Sequence, residues 1–256
     1  MTWGPVIRPV IVCAGLIGIW QIVVLVTAVP PYILPGPASV LDAFTGRFDT
    51  LMSNAGVTLI EILAGFAIGT AVGMTSALIM TFFRPARLWL MPVLVVSQAI
   101  PVFALAPILT LWLGYGMESK IAMAVLIIYF PVTAAFHDGL RRTEPGWVDL
   151  AHVMNASRRA ELLYIRLPAA LPALGSGLRV AAAVAPIGAV VGEWVGSSAG
   201  LGYLMLHANA RVQIDLMFAA LFTLAVMACV FYFAIDTIAR RLAPWQTEIS
   251  IEKEDR

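Results

Sequence analysis

Lysine occurs only twice in this 256-residue chain, at Lys120 and Lys253, and neither sits in a glycine-rich loop. A phosphate-gripping P-loop needs a lysine directly before serine or threonine, so the chain does not bind a nucleotide in that way. Charge of either sign is also scarce. Only 12% of residues are Asp, Glu, Lys or Arg, and the mean hydropathy is +0.90. Such a composition excludes an ordinary soluble globular domain. A net charge of +1 leaves no basic footprint for nucleic acid. The two cysteines, Cys13 and Cys229, fall in apolar runs and read as small apolar residues rather than a disulfide or a metal pair. His137, His152 and His207 are read as loop residues on two sides of a membrane, which excludes one shared metal site. Neither H-E-x-x-H nor G-x-S-x-G occurs.

What the chain has in quantity is long apolar runs. A bilayer span needs about 20 such residues, and six stretches qualify: 8–29, 56–82, 88–113, 120–136, 178–197 and 216–238. Backbone groups in lipid must be satisfied within the segment, so these runs are helices and the fold class is all-α and polytopic. The first run is too long for a signal-peptide core and ends at "TAVPPYILPGP" without a small-residue cleavage site, so it reads as a retained span. With the N-terminus inside, only Arg47, Lys120 and Arg211 lie outside, and the other thirteen basic residues lie inside. The opposite orientation violates the positive-inside rule. Both termini are therefore expected in the cytoplasm, with one transmembrane domain over 1–245, a cytoplasmic loop over about 137–177, and a flexible tail over 246–256.

That loop contains "DLAHVMNASRRAELLYIRLPAALPALGSG", a long polar interruption in a greasy chain. Asp149 to Leu163 suits a surface helix, with Leu150, Val153 and Met154 on one face and Arg158, Arg159 and Glu161 available for polar contact. Pro168 and Pro172 are expected to reset the chain direction before the fifth span. The pattern by itself also suits a membrane-surface helix without a partner, or a basic loop that merely sets topology.

The spacing resembles the cytoplasmic signature of ATP-binding-cassette importer permeases: Glu-Ala-Ala, three residues, Gly, nine residues, Ile-x-Leu-Pro. Here Asp149, Leu150 and Ala151 stand for the triplet, Asn155 for the glycine, and Ile165 to Pro168 for the last element. Asn tolerates the left-handed backbone that glycine supplies there. "YILPGPASV", "IPVFALAPILTLWLGYG" and "GEWVGSSAGLGYLM" extend the likeness over about residues 30 to 245. The nitrate/sulfonate/taurine/thiamine-precursor branch is the most similar, within it permeases for pyrimidine precursors of thiamine. The resemblance implies a type I (MetI-like) importer fold in the bacterial inner membrane and a homodimer embedded in lipid. It implies separate ATPase subunits that bind ATP and Mg, and an extracytoplasmic solute-binding protein. It also implies a coupling helix over about 149–161. In that helix Asp149 and Arg158 serve as polar contacts and Leu150 and Met154 as apolar anchors, with Ala151, Asn155, Ser157 and Pro168 completing the motif. The chain itself would carry no cofactor, no metal and no catalytic residue.

Inside the spans, Gly65, Gly69 and Gly73 form one ladder and Gly188, Gly192 and Gly196 another. Small residues at this spacing let helices approach closely, within one subunit or across a dimer axis. Pro186 permits a bend and is a candidate gate hinge. Polar residues in spans are functional candidates. Gln98, Glu193 and Trp194 join Pro186 as candidates for the translocation path, with a helix–helix hydrogen bond as the alternative for Gln98 and Glu193. Glu61 and Asp236 read as interfacial, solvated or paired with Arg. His207 lies in an outer loop and reads as a plain loop residue or as a contact for the binding protein. Two other classes remain. A secondary transporter would show an internal repeat, which is not evident between residues 1–130 and 131–256, and an intramembrane enzyme would cluster its residues at one depth.

The topology is directly testable. In a background lacking Cys13 and Cys229, Arg211→Cys should react with a membrane-impermeant maleimide on intact cells, and Asp149→Cys only after permeabilisation. The reverse pattern overturns the orientation.

Overall fold

A stripe on one helix organises the chain. Ala124, Ile128, Val132, Phe136 and Leu140 recur at every fourth position and are completely buried, as expected for one face of a helix enclosed on more than one side. The computed structural model describes residues 4–245, and the expected tail over 246–256 lies outside them. Among the described residues all regular elements are helices: α1 (Gly4–Thr27), α2 (Pro37–Gly46), α3 (Phe48–Phe82), α4 (Arg84–Ala99), α5 (Val102–Leu113), α6 (Met117–Arg141), α7 (Pro145–Val153), α8 (Arg158–Glu161), a π turn (Leu162–Arg166), α9 (Leu167–Gly196), α10 (Leu201–Ala210) and α11 (Ile214–Leu242).

The stripe belongs to α6, with α3 on one side and α9 on the other. Both glycine ladders serve this contact within the one chain. A Cβ on Gly69 would stand 2.8 Å from Ile128 Cγ2, and one on Gly73 3.1 Å from Val132 Cγ1. A Cβ on Gly188 would stand 2.7 Å from the Cα of Ala124, and one on Gly192 3.0 Å from that of Lys120. Gly65 faces Ala124, and Gly196 faces Thr110 of α5. Helix α11 packs on α9, and α1 lies at the periphery, with Trp20 stacked on Phe218 at 5.9 Å and tilted against Phe222 at 5.6 Å.

Among the described residues five helices are long and apolar enough to cross a membrane: α1, α3, α6, the run from α8 through α9, and α11. The expected third span is not one rod. Helices α4 and α5 meet at 104°, because Pro101 lacks an N–H and drives Ile100 into extended backbone (φ −86, ψ 120). Counted as one broken span, the pair brings the total to six.

Three expectations about the middle of the chain need correction. The segment expected as a loop over 137–177 is largely helical, because α6 continues to Arg141 and residues 158–196 form a single 39-residue helical run. Pro168 and Pro172 do not turn the chain. They lie in the first turns of α9, where a π turn immediately precedes Pro168 and accommodates its missing donor. The histidines are not loop residues: His137 is buried in α6, His152 lies on α7 and His207 on α10. Helix α9 also passes through Pro186, which is buried, without interruption.

The α6 contact sets a sharp sensitivity. Gly188→Ala forces a methyl group against backbone and should cost about 1–3 kcal/mol. Gly56→Ala in α3, with open space around it, should be neutral or stabilising by up to about 1 kcal/mol. Thermal unfolding of the two variants in detergent should separate them; equal midpoints overturn the packing argument.

Candidate functional site

The elbow between α7 and α8 is built from two helix caps in succession. Helix α7 starts with Pro145 after Glu144 and stops at Met154. There Asn155 takes the left-handed backbone (φ 53). Asn155 N–H donates to His152 O at 3.0 Å, and Ala156 N–H donates to Ala151 O at 2.9 Å. These two bonds form a Schellman motif with Asn155 at the position glycine usually fills. Ser157 then caps α8, its Oγ accepting from Ala160 N at 3.2 Å. The single helix expected over 149–161 is therefore two helices joined by a reversal. Asp149 is exposed in the middle of α7 rather than at its start, so it gains nothing from the N-terminal dipole there.

The elbow divides the signature residues. Leu150, Ala151, Met154 and Pro168 line a groove of about 620 Å³ between α7 and the start of α9, with Trp147 and Trp245. Leu150, Val153 and Met154 are 58%, 79% and 73% exposed, a dense apolar patch on a surface helix. Arg158 lies elsewhere, in a pocket of about 290 Å³ with Thr81, His152, Glu161 and Arg166. Glu161 is buried and ties the elbow together: its Oε1 accepts from Arg166 Nε at 2.6 Å, and His152 Nε2 lies 3.4 Å from its Oε2.

A second polar junction stands at the other end of α9. Glu193 is buried, and the first N–H groups of α10 point at it and at α3. Gly200 N–H donates to Asn54 Oδ1 at 2.8 Å, and Leu201 N–H donates to Thr58 Oγ1 at 2.8 Å. The N–H groups of Gly202 and Tyr203 donate to Glu193 Oε2, and Thr58 Oγ1 donates to Glu193 Oε1 at 2.6 Å. All the leading donors of α10 are thus taken by side chains of α3 and α9. Gly200 sits at φ 112 with the Glu193 carboxylate where a side chain would stand, and Gly202 also abuts that carboxylate. Glu61 and Lys120 complete the junction. Glu61, expected to be solvated or paired with Arg, is 1% exposed and lies beside Glu193. Lys120, expected in an outer loop, is buried in the first turn of α6, and its Nζ donates to the carbonyls of Tyr115, Gly116 and Gly196 at 2.5, 2.7 and 2.9 Å.

The four path candidates do not share one lining. Gln98 is exposed on α4 next to the break, Trp194 is half exposed, Pro186 is enclosed, and Glu193 is enclosed and engaged by α10. Asp236 pairs with Arg179 at 2.5 Å and with Arg240 at 2.9 Å, and His207 lies against the ring of Tyr203 at 4.2 Å. Asn54, Thr58 and Lys120 were missed. The first two had a signal, since Asn54, Thr58 and Glu61 follow a 4-then-3 spacing on the helix face that continues into Gly65.

Two caps in succession thus join an exposed apolar helix face to a 39-residue helical run that is apolar enough to cross a membrane. The family described as binding-protein-dependent transport system inner membrane component matches residues 69–248. The chain belongs to this family. This ABC importer permease is 54% identical over 235 residues to a probable ABC transporter permease protein of Haemophilus influenzae, covering 92% of this chain and 96% of that one. It is 34% identical over 241 residues to the formylaminopyrimidine transport permease protein ThiX of Halalkalibacterium halodurans, covering 94% and 96%. An inward-facing structure of the MetNI methionine ABC transporter shares the fold with a TM-score of 0.65 at 19% identity, covering 77% of this chain and 98% of that one. The permease therefore has a MetI-type fold, and its relatives are transporter subunits rather than enzymes.

The cap geometry makes Asn155 a discriminating position. Asn155→Gly should preserve stability of the permease, while Asn155→Val should cost about 1–3 kcal/mol in the left-handed conformation. Thermal shift of the detergent-purified permease measures both, and an unchanged Val variant overturns the cap assignment.

Proposed function

We propose that the permease forms, as a homodimer in the bacterial inner membrane with both termini in the cytoplasm, the translocation path of an ATP-driven importer for a pyrimidine precursor of thiamine. ATP and Mg bind to separate ATPase subunits, and a binding protein delivers the solute on the outer side. The observation that carries the coupling reading is the exposed apolar face of α7, joined through the Asn155 cap to a 39-residue rod. A cleft of an ATPase subunit that receives Leu150, Val153 and Met154 desolvates them and moves the rod with it. Arg158 stands on the other side of the elbow and offers a charge at the rim. Each chain has one such elbow, and two ATPases need two, which supports a pair of permease chains related by a two-fold axis normal to the membrane. The substrate assignment is supported by the motifs "SQAIPVFALAP" and "GLRRTEPGW" and by the ThiX relative.

Proteoliposomes holding the permease, its ATPase and its binding protein should accumulate radiolabelled aminopyrimidine in an ATP-dependent way, and excess taurine or aliphatic sulfonate should not compete. Competition by taurine moves the substrate to the sulfonate class, and export without a binding protein overturns the importer reading. Leu150→Asp with Met154→Asp should lower uptake about tenfold or more, and Asp149→Lys, at an exposed position, should keep complex size but lose stimulated ATPase activity. Native mass spectrometry should find two permease chains per two ATPases.

A further inference from the structure

Three glutamates and one lysine are buried among the described residues: Glu61, Glu161, Glu193 and Lys120. Two of them mark the ends of the α8–α9 rod. Glu161 binds the elbow at one end through Arg166 and His152. Glu193 binds α10 at the other end, with Glu61 and Lys120 beside it. The two glutamates are 32 positions apart, roughly 48 Å at 1.5 Å per residue, which is the thickness of a membrane with its headgroups. Buried charge is a poor way to gain stability, because packed apolar residues of the same volume often do better. What buried charge does supply is a fixed geometry, since a displaced partner leaves an uncompensated group in a dry interior.

We infer that Glu193 is a positioning residue through which the rod and α10 move as one body, so that binding-protein docking on α10 and ATPase motion at the elbow communicate along α9. This rests on the importer reading above. Four features on the page carry it. The link between α9 and α10 is only Ser197 to Gly200, too short to allow α10 much independent travel. The leading N–H groups of α10 have no partner within their own helix and depend on Glu193, Thr58 and Asn54. Gly200 and Gly202 leave the space the carboxylate fills. The outward side of α10 and the turn after it present Leu206, His207, Asn209, Arg211 and Val212 as exposed groups, a mixed apolar and polar surface suited to a protein partner. Helix α3 contributes Asn54 and Thr58, so motion of the rod relative to α3 must either carry α10 or strip its cap.

The test uses the permease–ATPase complex in nanodiscs, with and without saturating substrate-loaded binding protein. Glu193→Ala should retain basal ATPase activity and complex size but lose about tenfold in binding-protein stimulation, the range of a typical coupling energy. Glu193→Gln should retain most of the stimulation, because its carbonyl can still accept from Gly202 and Tyr203. Thr58→Val, which removes the hydroxyl between Glu193 and Leu201, should fall between them, and it gives the reading if Glu193→Ala does not assemble. A purely structural role predicts lower yield and thermal stability with normal stimulation per assembled complex. That result in Glu193→Ala, or in Thr58→Val if only that variant assembles, overturns the inference. A wild-type complex that the binding protein fails to stimulate overturns the importer reading itself, and the two failures are distinguished without reference to the variants.

Discussion

The close approach of α3 and α9 to α6 is the constraint on which the rest of the structure depends. In lipid there is little hydrophobic gain in bringing apolar helices together, so association rests on contact area and on how near the backbones can come. Gly69, Gly73, Gly188 and Gly192 remove the side chains that would hold α6 away. The stripe from Ala124 to Leu140 then fills the space between the two helices. With three helices packed this closely, the ends of α9 lie within reach of side chains from α3 and α6, and both polar junctions become possible.

The two ends of α9 use the same physical device for different surroundings. At the α8 end, Glu161 gathers Arg166 and His152 beside solvent, and the elbow it braces leaves an apolar face free. At the α10 end the junction is closed: Glu193, Thr58 and Asn54 consume the N–H groups of α10, and Lys120 is absorbed by three carbonyls. Both are solutions to one problem. A helix that stops near or in a membrane leaves donors and acceptors that lipid cannot satisfy. Side chains of neighbouring helices supply the partners, and in doing so they bind the elements to each other.

The periphery follows different rules. Helices α1, α4 and α5 carry exposed Leu, Val, Trp and Phe side chains. In water such a surface would be a liability, whereas against acyl chains or a second permease chain it is the ordinary state of a membrane protein. The break between α4 and α5 is the exception, because extended backbone at membrane depth is tolerated only against protein or in a water-filled cavity. Gln98 sits next to it, exposed.

Span count, all-helical class and family were legible in the sequence, because apolar run length and motif spacing are local properties. So was the left-handed turn at Asn155, since an Asn–Ala–Ser run after an apolar helix end carries its own capping chemistry. Span edges were not, because a helix such as α9 continues through polar and proline-bearing turns when other helices shelter it, as α6 and the Glu161 cluster do here. The surroundings of single polar residues were also hidden. Lys120 reads as a loop residue beside "GYGMES", and Glu61 as one charge near a span end. Only when α3, α6 and α9 are packed do these groups, 59 and 73 positions apart along the chain, meet Glu193 at one point. Hydropathy and spacing determine which segments enter the membrane and which face of each is apolar. Which polar groups meet is a long-range matter, decided by how closely the helices pack, and here that distance is set by the glycines of α3, α6 and α9.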